Sequence, residues 1–233
     1  MSIINKKYFQ YSDREIPNIT GRTEERVFNE VQYFIDKKEK ELFKKAFGIK
    51  MYKDFVQYVD DSGLKANAPQ NYKDIVNGKE YQINKPNTSD TYTRYWEGLK
   101  DEELWDSLIA DYVHVEYWRF NVQKTVLNGE NKNSAKVGNN VSMSMKLSEA
   151  WNRFVFKYQG GYNRNNYYGN CNSYRIIKNR LGNGCGVDFY YPYNYYQDAE
   201  VSLLVFLNEN KESYPLLEEP KCFNLETKNE FGI

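Results

Sequence analysis

Apolar residues recur every three or four positions in five stretches of the chain, a spacing that predicts amphipathic helices. The first helix begins near Thr23 and is broken at Gly48, and a second, shorter helix follows and ends at residues 61–63. These two are expected to be antiparallel neighbours. The other three are predicted at about residues 101–127, 147–158 and 197–212. The expected fold is therefore mainly α, a bundle of four or five helices.

A small β-hairpin is predicted within residues 72–83. Asn77-Gly78 is a typical two-residue hairpin turn, and apolar residues flank it on both sides. Residues 86–93 are predicted to form a loop. The acidic residues 101–103 are expected to lie in the first turn of the third helix, because carboxylates favour the positive end of the helix dipole.

Four segments fall outside this helical pattern. Residues 1–21 are predicted to form an extended N-terminal arm that lies on the chain's own body or on a neighbour. Residues 128–146 are a polar excursion without helical period, and residues 160–195 are an insertion rich in Tyr, Asn and Gly, in loop or β form. Residues 216–233 are a C-terminal tail. The helical core domain then comprises residues 22–159 and 196–215.

Charge is balanced over the whole chain but not along it. The 233 residues include 32 basic and 32 acidic side chains, so overall positive charge is excluded as a means of binding nucleic acid. Residues 159–187 carry four basic and no acidic residues, whereas residues 188–233 carry nine acidic and three basic residues. Copies of the chain could therefore meet through surfaces of opposite sign.

Several classes of protein are not expected. No apolar run approaches the roughly 20 residues of a membrane-spanning helix, and the first ten residues do not resemble a secretory signal. Cys171, Cys185 and Cys222 are odd in number and too widely spaced for zinc-ligand pairs. Reduced thiols in a cytoplasmic setting are therefore expected. No metal site or cofactor is predicted.

The chain offers little material for catalysis. His114 is the single histidine, and Glu116 does not stand at the helical spacing that would face it, so a half-buried or interfacial role is favoured. The glycines at 182–186 do not precede a helix start, as those of a phosphate-binding loop do. Cys185 has no histidine near it in sequence. The chain is not expected to be an enzyme.

Residues 158–196 hold ten of the 22 tyrosines and eight asparagines. One interpretation is a protein interface, because Tyr and Arg are enriched in interfaces. A second is a surface insertion that packs on its own domain. A third is a surface that binds single-stranded nucleic acid or glycan through aromatic faces and cationic groups.

Eight segments stand in an order that one known family shares. They are AFGIKMYKDF (46–55), VNGKEY (76–81), YWEGL (95–99), SLIADYVHVEYWRFNVQKT (107–125), GENKNSAKV (129–137), KLSEAWNRFV (146–155), LLVFLNENKESYP (203–215) and NEFGI (229–233). In this order the chain resembles the neck proteins of tailed bacteriophages, the head-to-tail connector or ring proteins of crAss-like and related phages. The resemblance covers most of the chain except residues 160–195.

The resemblance implies a virion structural protein, made in the bacterial cytoplasm and located in the neck or tail. Such proteins form rings, typically of twelve copies, that connect the portal to the tail around the DNA passage. The implied partners are copies of the chain, the portal and other neck or tail proteins, with DNA as cargo and no membrane. No catalytic residue or cofactor is implied. The alternative is an accessory protein that binds nucleic acid or carbohydrate through residues 160–195.

Candidate contacts with partner subunits lie mainly on the segments outside the helical core, which are expected to become ordered against neighbours. They are Ile3, Ile4, Tyr8 and Phe9 of the arm, Asn131, Lys132, Lys136 and Met143 of the excursion, Arg164, Tyr167, Tyr168 and Arg175 of the insertion, and Phe231 and Ile233 of the tail.

Overall fold

The structure is a computed structural model that describes residues 2–10, 14–16, 19, 25–60, 63–84, 91–122, 125–126, 129–130, 143–160 and 199–223. It is mainly helical with small β-hairpins, which confirms the predicted fold class. Almost all of the predicted insertion, much of the polar excursion and the last ten residues of the tail lie outside the described residues.

Five α-helices are present in the described part of the chain. They are α1 (Glu25–Phe55), α2 (Gln70–Asn77), α3 (Leu108–Val122), α4 (Met143–Gln159) and α5 (Leu203–Glu209). Single 3-10 turns occur at Lys6–Phe9, Val56–Tyr58 and Lys211–Ser213.

The strands are short. They are β1 (Val59–Asp60), β2 (Gly63–Leu64), β3 (Lys79–Asn84), β4 (Thr91–Trp96), β5 (Lys100–Asp101), β6 (Asp106–Ser107), β7 (Thr125–Val126), β8 (Gly129–Glu130) and β9 (Ala199–Glu200). β3, β4 and β9 form a sheet in that order, in which β9 is parallel to β4. The other strands pair as two-stranded antiparallel ladders.

Gly48 divides α1 into two helical segments, as predicted. Its φ of 79° lies in the left-handed region that favours glycine, so the regular helix is interrupted there. The ring centres of Phe43 and Phe55 lie 5.2 Å apart, although twelve residues span about 18 Å in a straight helix. The chain therefore turns back sharply at Gly48. The second segment ends earlier than predicted, because Val59 belongs to β1.

The predicted hairpin at residues 72–83 is wrong in position. Residues up to Asn77 belong to α2, and Gly78, with φ of 87°, follows the helix end. A dipeptide typical of hairpin turns therefore ends a helix here, because the residues before it bury one helical face. That face consists of Tyr72, Ile75 and Val76. The hairpin is formed instead by β3 and β4, so residues 91–93 are strand and not the predicted loop.

α3 begins at Leu108 and not at residue 101. Asp101 ends β5 and residues 102–103 lie in the turn before β6, where the Asp101 carboxylate accepts hydrogen bonds from the backbone N–H groups two and three residues ahead, at 2.7 and 2.9 Å. The cap of α3 is Ser107, whose hydroxyl oxygen accepts two N–H groups of the first turn at 3.1 and 3.3 Å. The acidic run therefore shapes a turn and does not start the helix.

The last two helices differ from prediction in length. α4 begins at Met143, within the predicted polar excursion, and α5 spans 203–209 and not 197–212. α5 is shorter because Ala199–Glu200 pair with β4, and because a 3-10 turn follows Asn210.

One continuous cluster of apolar side chains forms the core, and every helix contributes to it. α1 and α3 meet through Phe34 and Tyr117, whose ring centres lie 5.5 Å apart. α3 and α4 meet through Tyr112 and Phe154, at 5.0 Å. α5 is buried along most of its length and packs its Phe206 ring against Trp96 of β4.

The N-terminal residues lie on the chain's own body. Ile3, Ile4, Tyr8 and Phe9 are buried in the core cluster. This contradicts the prediction that these four side chains contact a partner, because their own chain already covers them. The arm had been predicted to be extended, but residues 6–9 form a 3-10 turn.

Candidate functional site

A buried carboxylate holds the first residues of the chain. Glu39 of α1 is 5% exposed, and its carboxylate accepts hydrogen bonds from the Ser2 hydroxyl at 2.5 Å and from the Ile3 backbone N–H at 2.9 Å. No lysine or arginine of the described residues forms an ion pair with it. Burial raises the pKa of Glu39 to about 7, against the opposing effect of these hydrogen bonds.

A second polar contact holds the arm at Arg14. The buried guanidinium donates to Oδ1 of Asp106 at 2.7 Å and to Oδ1 of Asp111 at 2.8 Å. Lys157 of α4 donates to the other oxygen of Asp106 at 2.7 Å. Burial raises the pKa of Asp111, although the charge of Arg14 opposes the shift. This ionic network (Arg14, Asp106, Asp111 and Lys157) joins the arm to β6, α3 and α4.

A shallow cleft opens beside the ionic network. It lies between β4, the β5–β6 turn, α4 and β9, and has a volume of about 130 Å³. Ligand sites usually measure about 300–1,000 Å³, so the cleft is small for a metabolite. Tyr95 and Leu104 at its rim are 49% and 76% exposed. Its charged lining residues are Glu97, Lys100, Asp101, Asp106, Lys157 and Glu200.

Two carboxyl groups interact in the cleft. Partial burial raises the pKa of Glu200, and the charge of Glu97 and a hydrogen bond to Glu97 raise it further. Such a pair can keep a proton at a pH where a lone glutamate is ionised. The lysines of the cleft are already engaged, Lys157 with Asp106 and Lys100 with Glu102. The described lining residues include no histidine or cysteine that could act as a nucleophile or its base.

A second groove, also of about 130 Å³, lies between the second segment of α1, α2 and the segment after the last 3-10 turn. The Tyr72 hydroxyl donates to the Asp54 carboxylate there at 2.5 Å. Burial raises the pKa of Tyr72, and the hydrogen bond to Asp54 raises it further. This contact ties α2 to α1, which is a structural role.

His114 is more buried than predicted, at 8% exposure. Its Nε2 accepts a hydrogen bond from the Trp118 indole N–H at 3.0 Å, so the neutral ring carries its hydrogen on Nδ1. The residue lies inside α3 and does not line either groove.

The other predicted contact residues are not brought together by the described structure. Met143 is the first residue of α4. The remaining nine lie outside the described residues and stay predictions: Asn131, Lys132, Lys136, Arg164, Tyr167, Tyr168, Arg175, Phe231 and Ile233.

Sequence analysis did not single out Glu39 or Arg14. A signal for Glu39 was present, because it stands four residues after Ile35 and three before Leu42, on the apolar stripe of α1. Arg14 gave no such signal, since it lies in an irregular segment and its partner Asp111 is 97 residues away.

No helix in the described ranges combines the length and the apolar character needed to cross a membrane. No group of three or more His, Cys, Asp or Glu side chains among the described residues is arranged to hold a metal ion. Compared with protein-family models, with curated proteins and with solved structures, the chain gives no match.

Proposed function

We propose that this chain is a structural subunit of an oligomeric ring in the neck or tail of a tailed bacteriophage, where it connects the portal to the tail around the DNA passage. The order of the eight sequence segments supports this function. One structural observation supports it independently of the resemblance: Gly160 and Ser202, which flank residues 161–198 in the described structure, lie close together.

Described residues on the two sides of this segment come into contact. A Cβ added to Gly160 at the end of α4 would lie 3.0 Å from the Cβ of Ser202, which precedes α5. The described core is already one continuous cluster without the segment. Because segments whose ends lie close together can be added to or removed from a domain at little cost, residues 161–198 are suited to contacts outside the body.

The charge pattern indicates which segments of adjacent subunits would contact each other. A ring requires two different surfaces on each subunit that fit one another. Residues 159–187 are basic, and residues 188–233 are acidic. In the proposed ring, the basic segment of one subunit contacts acidic residues of the next, while the subunit as a whole stays neutral and avoids repulsion between copies.

The described grooves favour assembly over metabolism. Each groove has a volume of only about 130 Å³. The charged side chains of the ionic network beside the first cleft bind one another and attach the arm to the helices. Those groups therefore have a structural task.

Native mass spectrometry of the full chain tests the proposal. We expect a closed species at an integer multiple of 27.7 kDa, with twelve copies as the number that the resemblance implies. In a matched variant, a short Gly-Ser linker replaces residues 161–198, which the adjacent ends permit. This variant is expected to keep its circular dichroism spectrum and to remain monomeric. A wild-type chain that is monomeric at every concentration would contradict the proposal.

The same linker variant distinguishes the ring function from the alternative function. An accessory protein that binds nucleic acid or carbohydrate through residues 160–195 should be monomeric as wild type, and should lose binding to a single-stranded oligonucleotide or glycan when the linker replaces the segment.

A further inference from the structure

Three lysines form a stripe on the exposed face of α1. Lys37, Lys40 and Lys44 are separated by three and four residues, so at about 100° per residue they lie within a sector of about 60°. All three are exposed, and none is joined by an ion pair to a carboxylate of the described residues. We call Lys37, Lys40 and Lys44 the lysine stripe.

The acidic residues of this part of α1 do not neutralise the stripe. Glu39 is buried beneath the arm, and Glu41 forms an ion pair with Lys38 at 2.9 Å. Asp36 is exposed beside the stripe, and its carboxylate accepts a hydrogen bond from the Gln32 side chain at 3.1 Å. Two carboxylates, one of them already paired with Lys38, therefore stand beside three exposed ammonium groups that form no ion pair with a described carboxylate.

Two tyrosines extend the stripe. The Lys37 ammonium lies 5.6 Å from the ring centre of Tyr33, which is 57% exposed. The Lys44 ammonium lies 5.5 Å from the ring centre of Tyr52. These cation–π contacts hold the cations against the surface without removing their charge. From Tyr33 to Lys44 the stripe spans about 16 Å of helix.

We propose that the lysine stripe binds the phosphate backbone of a nucleic-acid duplex. Duplex DNA carries one negative charge per about 1.7 Å of its axis, so a helix face of this length meets several phosphates at once. Lysine contacts to phosphate carry no sequence information. They therefore suit a duplex that passes through the proposed ring and is bound without regard to its sequence. In this respect the inference rests on the proposed function.

The test uses the full chain and a random-sequence 30-base-pair DNA duplex, with affinity measured by fluorescence anisotropy between 50 and 200 mM NaCl. The stripe variant is K37Q/K40Q/K44Q. The matched control K7Q/K53Q/K211Q removes the same charge from three other exposed positions. Unfolding in urea checks that all variants are folded, which exposed Lys-to-Gln changes should not alter.

Each lysine–phosphate contact contributes about 0.9 to the slope of log affinity against log salt. Losing three contacts should flatten the slope by about 2.7, so the wild-type affinity falls about 40-fold more than that of the stripe variant over this range. The matched control should keep the wild-type slope. An unchanged slope in the stripe variant, or an equal loss in the matched control, would overturn the proposal.

The oligomeric state of the same samples distinguishes two further outcomes. If the stripe variant changes its oligomeric state and keeps the wild-type slope, the stripe binds an acidic protein surface and the proposal is wrong. A wild-type monomer would contradict the ring function, yet the salt slope would still decide whether the stripe binds phosphate. If the wild type forms a ring and the stripe variant keeps the wild-type salt slope, the phosphate-binding proposal is wrong and the ring function stands.

Discussion

Glu39→Gln should change how the stability of this protein depends on pH. Glu39 is fully covered, and its hydrogen-bond donors come from the first residues of the chain. Its pKa rises from 4.5 to about 7 on folding, mainly because burial disfavours the ionised form. The folded chain therefore keeps the Glu39 proton at pH values where the unfolded chain has released it.

The sign and size of the effect follow from this difference in pKa. Since the unfolded chain binds fewer protons between pH 4.5 and 7, the free energy of unfolding falls as pH rises through this range. A pKa difference of about 2.5 corresponds to a limit of about 3.4 kcal/mol. Between pH 5 and pH 8 the Glu39 contribution should fall by about 2.5 kcal/mol.

Urea unfolding followed by the fluorescence of the four tryptophans measures this contribution. The free energy of unfolding of E39Q minus that of wild type should rise by about 2.5 kcal/mol from pH 5 to pH 8, because Gln does not titrate. E80Q, at an exposed position of β3, controls for the loss of one negative charge. A difference between E39Q and wild type that stays constant within about 0.5 kcal/mol would refute the reasoning.

Three further changes test the packing by urea unfolding at pH 7. Gly48→Ala places a side chain at φ of 79° and against Glu218, and should cost about 2 kcal/mol or more; a loss below about 1 kcal/mol would be inconsistent with this geometry. Ser107→Ala removes the cap of α3 and should cost about 1 kcal/mol, whereas an unchanged midpoint would mean that the cap adds nothing. Phe206→Ala should cost about 3–5 kcal/mol through the cavity it leaves beside Trp96, and a loss below about 2 kcal/mol would argue against this core position.

Helical periodicity was the most informative signal in this sequence. It predicted α1, α4 and the break at Gly48, because each apolar stripe is buried against a neighbouring helix. Local turn signals were less informative. Asn77-Gly78 is compatible with a hairpin turn or a helix end, and packing of the residues before it favours the helix end. The acidic residues 101–103 are compatible with a turn or a helix start, and they form a turn.

The buried polar contacts could not be read from spacing alone. Glu39 looks like one charge within a run of charged residues, and only its place on the apolar stripe marks it as buried. The ionic network joins residues from three distant parts of the chain, and no periodic pattern predicts such pairings. The contact residues predicted in the arm were wrong for a related reason: an apolar side chain in an irregular segment fits its own core as well as a neighbour.

The two polar attachments of the arm restrict how copies of this chain can meet. An arm that left this place to lie on a different surface of a neighbour would lose the contacts of Arg14 with Asp106 and Asp111, and leaving a buried charge without its partner costs about 3–5 kcal/mol. It would also remove the donors of Glu39 and uncover the apolar residues between the two attachments. In the proposed ring, subunits are therefore expected to be joined by surfaces that leave the arm in place, and we propose residues 161–198 for this contact.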